Sequence, residues 1–189
     1  MKIDSKGINF VIVGENIHTT RVVLRKGKLV VDDPSGTESV RFYDTEKKRR
    51  YLPIPEKTKT TQDYEEGRVK HVKIAVEAAM AGEEVGHLYL ARMVQRQVEA
   101  NADFLDLNID EIALKLDRQK EAMQWLVKAV MEMTDTALSI DSSNAEIIEV
   151  GLEACAKSGR KNMLNSASLE RRDALDLARQ YQCAVVVTA

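Results

Sequence analysis

Five short runs of apolar residues divide the chain, and a polar residue ends nearly every one of them. The runs are rich in valine, isoleucine and leucine and do not alternate with polar residues, as is typical of parallel strands that are covered on both faces. They lie at residues 10–16, 103–110, 138–144, 161–168 and 183–188. The sequence therefore predicts five strands of a parallel sheet.

Apolar positions spaced three and four residues apart fill the intervals between the later runs and predict helices. One helix is predicted around residues 122–133, a second around 147–155 and a third around 169–181. Ser168 is predicted to cap the third helix, and Glu170 lies where its charge is favourable near the positive end of that helix. This alternation of strands and helices with short connections predicts an α/β fold.

The polar residues at the strand ends decide between two α/β architectures. In a doubly wound sheet the ligand-binding residues gather where the strand order reverses, whereas all strands of a (β/α)8 barrel end at one mouth. Here nearly every strand ends in a residue that can hydrogen-bond a ligand, which favours the barrel. No Gly-x-Gly-x-x-Gly follows a strand and no Gly-x-x-x-x-Gly-Lys is present, so a nucleotide cradle is not favoured. The prediction is a partial TIM barrel that contains strands one to five.

Residues 22–66 form a predicted insertion after the first strand. Two apolar runs at 22–31 are joined by Lys26 and Gly27, which predicts a hairpin, and residues 39–43 predict a further strand. Pro53 and Pro55 then indicate an extended linker. Extra helices are predicted from about 66 to 100, with an interruption at Gly82. Because the loops after barrel strands shape the mouth, the insertion is expected to serve as a lid or a docking surface.

The insertion contains one run of charged residues, at 46–50. A solvated loop is the favoured interpretation of such a run. The alternative is that its cations attract an anionic partner. Nucleic acid is disfavoured because no aromatic interleaving accompanies the run.

Composition is typical of a cytoplasmic enzyme. The chain has 189 residues, 44% of them hydrophobic, and a net charge of −2, so electrostatics draws it neither to nucleic acid nor to a membrane. No segment has the length of a membrane span or the pattern of a signal peptide. Cys155 and Cys183 lack the CxxC spacing and are expected to be reduced, partly buried thiols.

Four segments in the predicted barrel resemble the pterin-binding (β/α)8 barrel family. Residues 140–155 and 164–170 carry the strongest likeness, residues 14–21 resemble the family's opening Gly-Glu-Arg-Ile-Asn-Thr-Thr-Arg, and residues 106–110 resemble its Asp-Val-Asn segment. The nearest members are the methyltetrahydrofolate-binding domain of cobalamin-dependent methionine synthase and the methyltetrahydrofolate:corrinoid/iron-sulfur protein methyltransferases. The resemblance covers residues 8–21 and about 94–189.

Within that resemblance, the sequence departs from the family in three respects. Asn16 stands where the family usually has Arg, and His18 where it usually has Asn. Residues 22–66 match no segment of the family. The chain reaches residue 189 directly after the fifth strand, so residues 1–189 are expected to be the N-terminal part of a barrel whose strands six to eight lie beyond that position.

The resemblance implies that Asp141 and Asn165 bind the pterin, with Asn108 and Asp106 next to them and Glu15 as a supporting residue. From the residues alone, Asp141 and Asn165 could instead cap the following helices, and Asn108 and Asp106 could belong to a hydrogen-bonded network at the strand ends. His18 is interpreted as structural. No protein-bound metal is expected, because the three histidines have no ligand-like spacing.

The implied reaction is transfer of the N5-methyl group of methyltetrahydrofolate to a corrinoid, such as cobalamin, that a partner protein or domain carries. No catalytic residue is assigned, because the family supplies the contact to N5 from beyond the fifth strand. Two alternatives stay open: condensation of the dihydropteroate synthase type, for which the Asn-Val-Thr-Pro run is missing, and a non-catalytic pterin-binding fragment. Self-association through the edge of the fifth strand is also expected.

Overall fold

The computed structural model describes residues 10–188, and its centre is a parallel sheet of five strands. With strands numbered along the chain, the sheet contains β1 (Val13–His18), β7 (Phe104–Asn108), β8 (Ala137–Asp141), β9 (Met163–Ala167) and β10 (Ala184–Val187), side by side in that order. Sequential parallel strands joined through helices are the arrangement of a (β/α)8 barrel. The structure therefore confirms the predicted α/β fold with part of a TIM-like barrel.

Helices cover the outer face of this sheet. They are α3 (His71–Met80), α4 (Glu84–Glu99), α5 (Leu116–Met133), α6 (Ala145–Cys155), which continues into a 3-10 turn (Ala156–Ser158), and α7 (Asp173–Gln180). In β7 and β8 the apolar residues alternate with polar ones, so the expectation of runs without alternation is wrong for these two strands. The fully buried apolar residues of the three central strands are Leu105, Leu107, Leu138, Ile140 and Leu164. Each such side chain stabilises the fold by roughly 1.5–3 kcal/mol. In residues 10–188, none of the helices has the length and apolar character needed to cross a membrane.

The insertion forms two small antiparallel sheets and two short helices. One sheet pairs β2 (Val23–Leu24) with β6 (Arg68–Val69), and the other contains β3 (Val30–Asp32), β4 (Glu38–Tyr43) and β5 (Arg49–Pro53). The helices are α1 (Glu56–Lys59) and α2 (Gln62–Glu65). Phe42 and Tyr89 join the larger sheet to α4, with their ring centroids 4.7 Å apart in an edge-to-face arrangement.

The hairpin predicted at Lys26 and Gly27 is wrong. The two apolar runs at 22–31 belong to different sheets, because β2 pairs with β6 and β3 pairs with β4. The actual turn is built by Asp33, whose carboxylate accepts hydrogen bonds from the backbone N–H groups of Ser35 and Thr37 at 2.8 and 3.0 Å. Such a side-chain bond mimics a backbone turn. Pro53 ends the edge strand β5, where the missing N–H costs no sheet hydrogen bond.

Two predicted helix boundaries have different outcomes. The interruption at Gly82 is confirmed, since this residue separates α3 from α4 with a φ of 83°. The cap at Ser168 is wrong, because α7 begins only at Asp173 and residues 169–172 are not helical. Asp173 and Asp176 lie in the first turn of α7, where their charges are favourable at the positive helix end.

Candidate functional site

The register of the strands places polar side chains on the inner face of the sheet. Asn108 lies opposite His18 on one side and opposite Asp141 on the other, and Asp141 lies opposite Asn165. Side chains at paired positions of neighbouring strands point to the same face. The carboxyl ends of β1, β7, β8 and β9 therefore bring their polar residues together, which is the position of the binding site in a barrel.

A buried carboxylate connects three of these strands. Oδ2 of Asp106 lies 2.8 Å from Nε2 of His18, and both residues are buried. The amide nitrogen of Asn165 donates to the same carboxylate, at 3.3 and 3.4 Å from its two oxygens. A buried carboxylate needs such donors, because an unpaired charge is expensive to remove from water. Asp106 thus joins β7 to β1 and to β9.

A second pair lies beside it. The amide nitrogen of Asn108 donates to Oδ2 of Asp141 at 2.9 Å, and the amide oxygen of Asn108 accepts from the backbone N–H of Asp110 at 3.0 Å. Both ends of the Asn108 amide are therefore occupied. Asp141 does not cap the following helix, because the side chain of Asn144 accepts from the N–H of Glu146 and caps it instead.

Asp141 is half-buried and lies among other carboxylates. Desolvation raises the pKa of the Asp141 carboxyl above its ordinary value, and the negative charges of Asp106 and Asp110 act in the same direction. The hydrogen bond from Asn108 and the nearby His18 oppose this shift but do not cancel it. Perturbed carboxyl groups of this kind concentrate at functional sites.

The loop after β8 is tied to the loop after β7. The carboxylate of Asp110 accepts hydrogen bonds from the hydroxyl of Ser142 and, at 2.9 Å, from the backbone N–H of Ser143. Arg171, from the loop after β9, donates to the carbonyl oxygen of Ser142 at 2.8 Å. These contacts hold three loops in fixed positions around Asp141.

Glu15 is the one predicted site residue without a hydrogen bond, among residues 10–188, to the polar cluster, which consists of His18, Asp106, Asn108, Asp110, Asp141, Ser142 and Asn165. It is exposed, and its carboxylate lies 3.4 Å from a guanidinium nitrogen of Arg21. It lies in a bulge of β1, where the register against β7 shifts between Gly14 and Ile17. Beyond the bulge, His18 lies opposite Asn108 and therefore on the inner face of the sheet.

His18, Asp106 and Asp141 each have one side-chain atom that could bind a metal ion, and these three atoms lie within 4.8 Å of one another. A divalent cation can use such a spacing. In this structure the two carboxylates are instead paired with amides and an imidazole. The Nε2–Oδ2 distance of 2.8 Å between His18 and Asp106 is that of a hydrogen bond. The expectation of no protein-bound metal stays a prediction.

Four members of the cluster were predicted as site residues from the sequence, namely Asp106, Asn108, Asp141 and Asn165. His18 was expected to be structural, and Asp110 and Ser142 were not predicted as site residues. The sequence did hold one indication of these residues, because His18, Asp110 and Ser142 each lie at or next to the end of an apolar run. Their partners are distant in sequence, with His18 and Asp106 separated by 88 positions, so the run alone could not reveal the contact.

The sequence model of one protein family, described as pterin binding enzyme, matches residues 89–189, which is more than half of the chain. The match begins within α4 and includes β7, β8, β9 and β10 with the helices between them. Three of the four strands that carry the cluster therefore lie in the matched region. The chain belongs to the pterin-binding enzyme family.

Proposed function

We propose that the chain binds methyltetrahydrofolate at this cluster and transfers its N5-methyl group to a corrinoid carried by a partner. The observation that carries the proposal is the hydrogen bonding of the Asp141 carboxylate. One of its oxygens is held by Asn108, while Oδ1 has no hydrogen-bond partner among residues 10–188. A pterin ring offers adjacent donors, the 2-amino group and N3–H, and a fixed carboxylate in a half-buried site is suited to accept them.

Methyl transfer is favoured over condensation by the sequence around β1. Residues 14–21 are similar to the opening motif of folate-dependent methyltransferases, and the Asn-Val-Thr-Pro run of dihydropteroate synthases is missing from the chain. The N5 amine of methyltetrahydrofolate is a poor leaving group, so orientation and hydrogen bonding at the ring would account for the rate. The corrinoid, when bound, supplies the cobalt that accepts the methyl group.

The residues of this chain would then have two tasks. Asp141 and Asn165 bind and orient the ring, while His18, Asp106 and Asn108 hold these two side chains in place. The apolar outer face of the sheet, with Leu107 and Ile140 fully buried, makes this framework rigid. A rigid framework matters because small errors in the placement of a bound substrate reduce the rate strongly.

The test is calorimetric titration of the 189-residue chain with methyltetrahydrofolate, followed by a methyl-transfer assay with a purified corrinoid protein. We expect saturable binding at one site and methylation of the corrinoid. Condensation of a dihydropterin pyrophosphate with p-aminobenzoate would establish the synthase instead. Binding without either reaction would identify a non-catalytic pterin-binding protein, and no binding to any pterin would reject the proposal.

A further inference from the structure

A cleft of about 220 Å³ lies between the larger sheet of the insertion and α4. One wall is β4, from Arg41 to Tyr43. The other wall is a stripe of α4 whose members are three or four positions apart and therefore share one face of the helix. They are Tyr89, Arg92, Met93 and Arg96. The β4 wall belongs to the insertion, which lies outside the residues that the family model matches.

The charged residues that line this cleft are three arginines, and no carboxylate lines it among residues 10–188. Arg41 donates to the backbone oxygen of Lys28 at 3.0 Å. Arg92 has a carboxylate neighbour, Glu99, at 3.6 Å, but the pair is too exposed to hold the guanidinium firmly. Arg96 is exposed and has no ion-pair partner in the described part of the chain. The cleft thus concentrates positive charge on a chain whose net charge is −2.

Beside the cleft, the end of β4 is an open strand edge. β3 begins at Val30, which pairs with Val40, and the last hydrogen bond between the two segments runs from the N–H of Arg41 to the oxygen of Leu29 at 2.7 Å. Tyr43 lies beyond that bond, so within residues 10–188 it has no strand beside it on this side of the sheet. An extended peptide can add to such an edge through backbone hydrogen bonds.

A strand added there would direct its side chains to both walls. Phe42 packs on Tyr89 of α4, so the face of the sheet that carries Phe42 is turned to α4. Arg41 and Tyr43 belong to the opposite face, because successive side chains of a strand alternate. Every second side chain of an added strand would therefore point to α4, and the others would lie beside Arg41 and Tyr43.

Two of the arginines are spaced to match alternate side chains of such a strand. Arg92 and Arg96 are four positions apart on α4, and residues at this spacing have Cβ atoms about 5–6 Å apart. Side chains two positions apart on a strand are separated by roughly 6.5–7 Å. Two carboxylates at alternate positions can therefore each meet one guanidinium, whose planar fork binds a carboxylate through two parallel hydrogen bonds.

We propose that this cleft binds an extended acidic segment of a partner protein, with carboxylates at alternate positions. Arg92 and Arg96 bind two of these carboxylates, and the backbone of the segment extends the sheet at Tyr43. Single-stranded nucleic acid also binds arginines beside aromatic rings, but a sugar-phosphate backbone cannot extend a β-sheet. The proposal concerns a surface of the insertion and does not depend on the proposed pterin site.

The test is fluorescence anisotropy of a labelled twelve-residue peptide in which glutamate alternates with threonine, titrated with the 189-residue chain. We expect saturable binding that is at least about tenfold tighter than for the same peptide with glutamine in place of glutamate, since charge-assisted hydrogen bonds are the stronger ones. A third peptide of the first composition carries its glutamates in one block. We expect it to bind at least about threefold more weakly, because its carboxylates do not alternate.

The variant Arg92→Gln with Arg96→Gln removes the two cations of the α4 wall and keeps good helix formers there. It should bind the alternating peptide at least about tenfold more weakly and with less dependence on salt. The matched control is Lys128→Gln with Arg179→Gln, which removes two exposed cations from α5 and α7 and gives the same net charge. Its affinity should stay within about twofold of that of the unmodified chain. Circular dichroism checks that both variants are folded.

The absence of saturable binding to the alternating peptide would overturn the proposal. Equal affinity for the glutamine peptide or for the blocked peptide would do the same. An equal loss in the two double variants also counts against it, because net charge alone would then attract the peptide. Tighter binding of a twelve-nucleotide oligothymidine than of the alternating peptide would identify a nucleic-acid surface instead. Titration of both variants with methyltetrahydrofolate reports on the pterin site separately, and we expect no change there.

Discussion

The amide nitrogen of Asn108 lies 2.9 Å from Oδ2 of Asp141, and this contact joins the carboxyl ends of β7 and β8. It occupies one oxygen of the carboxylate and fixes the direction of the other. Asn108 is itself held by the backbone of Asp110. The pair is therefore a prearranged acceptor, which reduces the conformational entropy that a ligand must overcome on binding.

Removing either ring contact should weaken folate binding. Asp141→Ala or Asn165→Ala is expected to reduce the affinity for methyltetrahydrofolate by about 1–3 kcal/mol each, the usual penalty for an unpaired buried polar partner. Calorimetric titration of the folded variants measures this. Ser143→Ala, an exposed position in the same loop, is the control. Unchanged affinity in both variants would contradict the assignment of the site.

We expect the Asp141 carboxylate to lower the free energy of unfolding, although the same group contributes to folate binding. Its pKa is raised by desolvation, so the folded chain holds the proton more tightly than the unfolded chain, and the ionised form at neutral pH is destabilising. Asp141→Asn keeps an acceptor for Asn108, and we expect it to raise the free energy of unfolding at neutral pH. The gain should shrink as the pH falls through the raised pKa. Denaturant unfolding at several pH values tests this, and a less stable variant at neutral pH would refute it.

His71 should make the fold sensitive to mild acid. Burial, with a smaller contribution from Arg21, lowers the pKa of His71 from 6.5 to about 4, and its Nδ1 lies 2.8 Å from the hydroxyl of Tyr89. Between pH 6.5 and about 4 the unfolded chain binds a proton that the folded chain does not. The free energy of unfolding should therefore fall as the pH falls, by at most ~1.4 kcal/mol per pH unit.

The matched variant for this prediction is His71→Gln, which keeps a polar partner for Tyr89 but does not titrate. Its unfolding free energy should depend less on pH across this window than that of the unmodified chain. Identical slopes in urea titrations of the two chains would show that His71 does not set the acid sensitivity.

In the charged run at 46–50, two of the four cations form ion pairs, which leaves the other two for the predicted docking of a partner. Lys48 and Arg50 form ion pairs with Glu46 and Asp44 at 2.6 and 2.8 Å, whereas Lys47 and Arg49 have no carboxylate partner among residues 10–188. If the run attracts an acidic corrinoid protein, Lys47→Glu with Arg49→Glu should slow association and flatten its dependence on salt.

Folate binding should not change in that double variant. The control reverses two exposed cations on other elements, Lys128 in α5 and Arg172 before α7, which gives the same net charge. Stopped-flow association rates, measured at several salt concentrations, distinguish the variant in the run from this control. Equal rates and salt slopes in all three chains would mean that the run is only a solvated loop.

Gly86 permits the close contact between α3 and α4. A Cβ atom at this position would lie 2.7 Å from the backbone oxygen of Ala75 and 2.9 Å from Cα of Ala79. Backbone atoms cannot move aside without shifting a helix, so Gly86→Ala should destabilise the fold by about 1–3 kcal/mol. Gly151→Ala meets side chains of Ile140 and Met123 instead, and we expect a smaller cost. Thermal unfolding compares them, and the reverse order would contradict this account.

The sequence by itself determined the parallel strands, the helices between them and four of the clustered polar residues. These features are local, because a run of apolar residues or a spacing of three and four residues is complete within one segment. The polar ends of the runs could be placed at one mouth without knowledge of any contact, since parallel strands in sequential order end on the same side. Membership of the pterin-binding family followed from the same segments.

Only the tertiary structure decided which partners these groups have. Three examples are the pairing of β2 with β6, the register shift in β1 and the contact between His18 and Asp106, none of which a local pattern encodes. The same holds for the Asn165 amide, whose direction depends on a carboxylate 59 positions away. Hydrogen-bond partners are selected by proximity in space, and a buried polar group is stable only where the folded chain brings its partner to it.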